Sequence, residues 1–333
     1  MRLLLSLGML LTIGVAALNL RPETKPAPVA EDFVLVIQDE SAAEESVRTD
    51  CTIRLKTEAG IQTMDLEEYL PGVVLAEMPG SFEQEALKAQ TVAARTFAAR
   101  MLENSKHSDC TLCADPSCCQ AWLSREQLQK KYGNSFSTCW DKAILAVEET
   151  AGQVLTYNGE LVEAVYFSCS GGASEPAVAV WGSEVPYLQS VESPGEEAAQ
   201  KYESQVRVSF SKFKQILQKA DPNVFFPVIP EDWIGATVRS DGGGVQSMVL
   251  GGVSFSGTKL RSLFSLNSTL FTLSVGDGEM IFSVKGYGHR VGMSQYGANA
   301  MAGEGKTCAE ILTHYYTGVQ IKNLFQTGLE QVS

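Results

Sequence analysis

The chain has 333 residues, 44% hydrophobic and 20% charged, which allows one large or two medium domains with a sizeable core. Its formal net charge of −13 argues against nucleic acid as a partner, because phosphate binding relies on clustered Lys and Arg. The same charge opposes anionic lipid and wall polymers and raises no objection to a neutral glycan.

Residues 3–18 are apolar or small after Arg2, and Asn19, Arg21, Glu23 and Lys25 end the run. This is an export segment, residues 1–20. It is shorter than the roughly 20 residues of a spanning helix and also suits the apolar part of a cleaved signal, so both a single-pass anchor and a signal remain open. Pro22, Pro26, Pro28 and the acidic run 39–45 mark residues 21–48 as a linker, interrupted by a predicted short strand at 33–37.

The folded part is expected over 49–325, with a soft subdomain at about 196–282. CTIRL and GIQTM predict a strand pair, and residues 66–76 a helix that Pro71 would kink or restart. Pro79 and Gly80 break the chain, Ser81 and Gln84 have capping-box spacing, and Ala86, Leu87, Gln90, Ala93, Ala94, Phe97, Ala98 and Met101 follow at helical period. A cysteine-rich loop comes next, then a helix at 141–151. VLTYNGELVEAVYFS alternates across Asn158-Gly159 and predicts a hairpin. The second half reads as an amphipathic helix (SFSKFKQILQKA), strands GATVRS, GVQSMVL and GVSFSG, a helix TKLRSLFSL, and strands LFTLSV and MIFSVKG. The His289 block then leads into a closing helix. Strands and helices mix without a βαβ rhythm, so the fold class is α+β.

Several residues stand out chemically. Glu77 lies among Val73, Val74, Leu75, Ala76 and Met78, whose packing would raise its pKa and make it a candidate general acid; the alternative is a capping or exposed glutamate. Glu85 is the next acid that could reach a cleft, whereas Asp65, Glu67 and Glu68 read as surface or capping residues. Gln90 is polar inside an apolar stripe and must find partners, so it either ties this helix to a neighbouring loop or points into a site as a substrate-binding residue. Ser168, Ser170, Gly171, Gly172, Ser174 and Glu175 form a hydroxyl- and glycine-rich segment that suits either a tight turn or hydrogen bonding to sugar. Cys169 within it suggests a thiol nucleophile only weakly, since no paired histidine motif accompanies it. His289, Ser294, Gln295 and Tyr296 sit in the densest cluster of glycine and polar residues and are expected to contact glycan, with His289 placed to orient Glu77. Arg290 reads equally as a sugar contact or a surface charge.

His107, Cys110, Cys113, Cys118 and Cys119 crowd into one loop. Adjacent Cys118 and Cys119 cannot easily bond to each other, and a His-x5-Cys-x4-Cys-Cys set is of the kind zinc takes tetrahedrally in structural sites. Disulfides such as Cys110 to Cys119 are the competing arrangement.

LEEYLPGVVLAEMP, EALKAQTVAARTFA, YFSCSGGASE, VWGSEVPYLQSVESP, GTKLRSLFSL and KGYGHRVGMSQYGANAMA resemble, in order and spacing, the stage II sporulation protein D family, which also includes the amidase-enhancer proteins. The resemblance spans roughly residues 51–318. It implies a lytic transglycosylase of peptidoglycan with Glu77 as the catalytic acid and a single-pass membrane anchor holding the domain outside the cytoplasm. It also places the serine-glycine block in the substrate groove. The family commonly ligates metal through His, Cys and His-Cys, which puts forward His107, Cys113, Cys118 and Cys119 with Cys118 in place of a histidine and Cys110 as substitute. Here too the resemblance, rather than composition, implies the partners: a sporulation amidase (stage II sporulation protein P), which would leave denuded glycan strands as substrate, and a membrane protein (stage II sporulation protein M). The enhancer branch implies a rival role, a non-catalytic wall-binding activator of an amidase; it more often carries Gly-His-Gly where this chain has His289-Arg290.

Overall fold

The protein is described by a computed structural model over residues 51–324. The export segment, the linker and the strand expected at 33–37 lie outside the described residues. Among the described residues no helix is long and apolar enough to cross a membrane.

The architecture is mixed α+β, with several small sheets around a helical centre. The first two strands, Thr52–Thr57 and Gly60–Asp65, pair antiparallel as expected. Helix α1, Leu66–Glu77, starts at Asp65, whose side chain accepts the Glu67 N–H, and runs through Pro71 as one helix. Helix α2, Gln84–Glu103, follows without the Ser81 cap. Glu83 is its N-cap, the Phe82 N–H instead closes a turn onto Pro79 O, and the Gln84 amide donates to Lys142 O. The burial of Phe82 against the edge of Tyr296 fixes this turn and takes Ser81 away from the helix start.

Helix α2 is buried along nearly its whole length, not along one stripe. Its many alanines let neighbouring elements approach closely, and Arg95, fully buried, closes a bidentate pair with Glu67 at 2.7 Å. Two helices follow the cysteine loop where one was expected. Helix α3, Arg125–Tyr132, has a complete capping box between Ser124 and Gln127, and α4 spans Phe136–Glu149.

The Asn158-Gly159 hairpin forms between Gln153–Tyr157 and Glu160–Leu161, both turn residues adopting positive φ as a type I′ turn requires. Its second strand ends early. Tyr166–Phe167 leaves the hairpin and pairs in parallel with Met293–Ser294, which brings the serine-glycine block beside the His289 block. Helix α5, Ala177–Trp181, comes next, ended by Gly182 in the left-handed conformation.

In the second half, Glu203–Ser209 joins the expected strands Phe271–Val275 and Glu279–Lys285 in one sheet. Helices α6, Phe210–Ala220, and α7, Gly257–Phe264, cover a separate core of Phe213, Trp233, Phe264 and Phe282. Helices α8, Gln295–Gly303, and α9, Cys308–Tyr315, pack on α2 and complete the core that supports the cleft.

Candidate active site

Glu77 is the last residue of α1 and half-buried. Its position is held by α3: the Lys131 ammonium donates to Leu75 O (2.8 Å) and Ala76 O (3.2 Å), and the Tyr132 hydroxyl donates to Leu75 O and Met78 O. The Glu77 carboxyl accepts the Ala121 N–H at 2.7 Å, and Tyr166 and Gln295 approach it as further donors. Burial pushes this carboxyl above the usual carboxylate range. The Ala121 N–H, Tyr166, Lys131 and Gln295, all of which favour the ion, offset only part of that shift.

The carboxyl opens into a cleft of about 400 Å³, the size of a small-ligand site of about 300–1,000 Å³. Glu77 is the only carboxyl among its described lining residues. A larger hollow of about 800 Å³ beside Arg239 and Lys285 contains no buried acid, and its size alone gives it no chemistry.

Gln120 and Tyr166 line the cleft and Tyr69 stands behind them; none is among the expected site residues, although both tyrosines fall inside blocks that carry the resemblance. Gln120 donates to the Tyr166 hydroxyl at 3.0 Å and accepts from Tyr69 at 3.1 Å, so a buried relay ends at Glu77. A hydroxyl or amide next to apolar neighbours carries no mark of its role in the chain, and only the fold brings these together.

The expected site residues divide into two groups. Ser168, His289 and Gln295 line the cleft with Glu77, and Gln90, fully buried on α2, receives the Gln295 amide at 3.4 Å. The Gln90 amide nitrogen has no partner among the described atoms. Burial first and the Arg261 charge second hold the His289 pKa down at about 4, and its Nδ1 accepts the Val291 N–H at 3.1 Å. His289 is thus a neutral imidazole at physiological pH.

Ser170, Ser174, Glu175 and Ser294 are buried, with protein partners for their side chains. Glu196 accepts from the Ser170 N–H and hydroxyl, the Gly171 N–H, and the hydroxyls of Ser193 and Ser294. Ser174 bonds the Val191 N–H at 2.9 Å. Gly172 pairs with Ser193 in a short strand, and Tyr296 meets Phe82 edge-on. These residues frame the cleft wall and do not face the cleft.

Arg290 is neither a surface charge nor open to a sugar. It is fully buried and donates to Ser170 O, Ala173 O, Gly242 O and Glu175 Oε1 at 2.6–2.8 Å. Its φ of +67° is a conformation natural to glycine, and these four bonds hold an arginine in it. Glu175 also accepts the Gly244 N–H, where a Cβ would fall 2.2 Å from the carboxylate oxygen.

Geometry also corrects the expectations for Glu85 and Cys169. Glu85 would be raised by burial, but Lys88 and the Cys308 N–H outweigh this and hold its carboxyl below the ordinary range, so it is no proton donor. Burial pushes the Cys169 thiol up to about 11, and the residue is fully buried, which removes it as a nucleophile.

His107, Cys113, Cys118 and Cys119 place their ligand atoms within 4.8 Å of one another. His107 Nε2 is 3.4 Å from Cys119 Sγ and 3.7 Å from Cys118 Sγ, and the two sulfurs are 3.9 Å apart. A tetrahedral ion with bonds of about 2.3 Å to sulfur requires sulfur separations of about 3.8 Å, so the set fits a metal ion. Cys110 belongs to a different grouping with His107 and Asp109, and none of Cys110, Cys113, Cys118 and Cys119 is in a disulfide. Cys119 also lines the cleft, two residues before the Ala121 N–H that holds Glu77.

Comparison with known proteins shows the family. The family described as Stage II sporulation protein matches residues 55–157, which contain both Glu77 and the cysteine loop. The chain is 38% identical over 265 residues to Stage II sporulation protein D of Bacillus subtilis (strain 168), covering 78% of this chain and 75% of that protein, and equally so to its Bacillus amyloliquefaciens counterpart. It is 29% identical to the Amidase enhancer of B. subtilis, over 76% of this chain and 40% of that protein. On identity of that extent, with the candidate acid inside the matched region, the chain belongs to the stage II sporulation protein D family.

Proposed function

We propose that the protein is a lytic transglycosylase that cleaves the MurNAc-GlcNAc bond of peptidoglycan and leaves a 1,6-anhydro sugar. The observation that carries this reading is the lone carboxyl of Glu77 in the cleft, its pKa raised by burial. Hydrolysis of a glycosidic bond usually takes two carboxyl groups. In transglycosylation one suffices: protonated Glu77 gives its proton to the leaving glycosidic oxygen as the bond to the anomeric carbon breaks. The C6 hydroxyl of the same sugar attacks that carbon, and the Glu77 carboxylate accepts the hydroxyl proton. Tyr166, Gln295 and the Ala121 N–H stabilise the carboxylate midway, and neutral His289 faces the sugar as a hydrogen-bonding group.

The proposal extends to the setting: a membrane-anchored protein acting outside the cytoplasm during engulfment in sporulation, on glycan denuded by the amidase stage II sporulation protein P, together with stage II sporulation protein M. A second reading, a non-catalytic activator of an amidase, draws on the likeness to the Amidase enhancer. Incubating purified protein with denuded glycan and analysing products by mass separates them. Anhydro-ended fragments are expected; their absence, together with stimulation of an added amidase, would establish the second reading.

The ion we assign to His107, Cys113, Cys118 and Cys119 is zinc in a structural role, since four protein ligands leave no position for a reacting water. When bound it would supply the positive charge that lets crowded thiols ionise; without it burial and neighbouring cysteines hold Cys119 at about 12. Elemental analysis of protein purified without chelator is expected to give about one zinc per chain. Cys113→Ser and Cys119→Ser should each abolish it and lower the melting temperature. Metal-free protein with these cysteines paired in disulfides would contradict the assignment.

A further inference from the structure

Trp181, the last residue of α5, is 42% exposed, and Val178, three residues before it on the same helix face, is 48% exposed. The other three tryptophans, Trp122, Trp140 and Trp233, are half-buried or buried. The exposure does not come from a frayed end. The Gly182 N–H closes the helix on Val178 O at 3.1 Å, the Ala177 N–H donates to Leu188 O at 2.9 Å, and the Glu175 backbone bridges to Val291 beside the His289 block. The buried pair of Arg290 and Glu175 therefore anchors the helix that carries the indole.

The indole stands next to the cleft. Its ring centre is 5.8 Å from that of His289, which is also 5.8 Å from that of Phe167, and His289 and Phe167 both line the cleft. Exposure rises through these rings: Phe167 is buried, His289 half-buried and Trp181 exposed. Single exposed apolar side chains are ordinary on a protein surface, so position decides. Of the three exposed aromatic side chains among the described residues, Phe225 lies in the second half, whereas Trp181 meets His289 and Tyr287 lines the cleft. Tyr287 has the Lys201 ammonium 4.2 Å from its ring centre, which occupies one of its faces, and cations likewise lie over Trp140 and Trp233. Among the described residues none lies over Trp181.

An aromatic face carries the negative part of the ring quadrupole. A pyranose ring offers a matching face of C–H groups, apolar and weakly positive, so the two stack without a charge on either partner. Such recognition suits a chain of net charge −13. We propose that Trp181 is the stacking platform for a sugar lying outside the cleft, one ring beyond His289, and that it makes recognition depend on the length of the glycan. The inference rests on the reading of the cleft as a glycan site. A glycan strand is a polymer and continues past a cleft of about 400 Å³. A disaccharide is held by the cleft alone, whereas a longer strand also covers the indole and removes its apolar face from water.

The test compares a MurNAc-GlcNAc disaccharide with the corresponding octasaccharide, both free of peptide. Binding is measured by calorimetry in the Glu77→Gln background, and cleavage separately in protein with Glu77 intact. The octasaccharide is expected to bind more tightly, and Trp181→Ala should weaken its binding by roughly 3- to 10-fold, the range for an aromatic contact, bringing it toward the disaccharide. Trp181→Phe should keep part of the gain. In protein with Trp181 intact, the octasaccharide should also shield tryptophan emission from quenching by acrylamide, and the disaccharide should shield it less. Equal shielding by the two, or none, would overturn the proposal whether or not the variants fold, as would a length gain unchanged in folded Trp181→Ala or no binding of either oligomer. Because binding is read without Glu77, length-dependent binding through Trp181 with no anhydro product would refute the transglycosylase reading and leave the platform standing. Anhydro product with no dependence on Trp181 would do the reverse.

Discussion

Glu77→Gln is expected to keep the fold and glycan binding while losing cleavage by roughly 10² to 10⁴-fold, the contribution of general acid-base assistance. The amide preserves shape and removes the transferable proton. The pH profile supplies a second check. Since the donor is the protonated carboxyl and its pKa is raised above 4.5 by burial, cleavage should decline as pH rises through that raised value. The linkage runs the same way for stability. A raised carboxyl pKa favours the fold fully below the unfolded value, and that contribution is lost as pH rises through the folded one. Above the folded pKa the protein holds a charge that burial disfavours, and there Glu77→Gln should be at least as stable as the wild type. Activity within a few-fold of wild type would place the acid elsewhere, and a lower melting temperature would make loss of activity uninformative about chemistry.

Arg290→Met is expected to have the largest effect on stability. Arg290 and Glu175 are both essentially unexposed, and removing the guanidinium strands a buried carboxylate whose second oxygen already has no partner among the described atoms. Breaking such a pair costs about 3–5 kcal/mol. Three backbone carbonyls, of Ser170, Ala173 and Gly242, would lose their donor as well. The midpoint of denaturant unfolding should fall accordingly, and replacing Glu175 by an apolar residue in the same chain should recover part of the loss. An unchanged midpoint would show that water replaces the guanidinium and that the pair contributes little.

Local chemistry is legible in the sequence, whereas tertiary facing is not. The Asn158-Gly159 turn, the cap at Asp65 and the ligand spacing from His107 to Cys119 depend on a few neighbouring residues, and each emerges as read. Helix α3 has its signal too, in Ser124 and Gln127, but it follows closely on the cysteine loop, whose composition reads as irregular chain. The serine-glycine block is the instructive case. Ser170, Ser174 and Glu175 look alike in sequence whether they face a ligand or the protein interior, and Glu196, the acceptor that draws Ser170 and Ser294 inward, lies outside every motif. Glu203–Ser209 alternates plainly, yet becomes a sheet member only through pairing with a strand about seventy residues onward.

The place where α1 stops has a further consequence. Peptide dipoles aligned along a helix leave partial negative charge at its C-terminal end, equivalent to about half an elementary charge. Glu77 occupies that end, so an ionised carboxylate there faces the oriented backbone as a like charge. Helix polarity and burial therefore push the proton equilibrium in the same direction. The ammonium of Lys131, laid across the last carbonyls, limits the push. The proton affinity of the acid is thus set by three parts of the fold, namely the length of one helix, the lysine that covers its end and the loop that delivers the Ala121 N–H. Lengthening α1 by a single turn would carry the carboxyl away from all three.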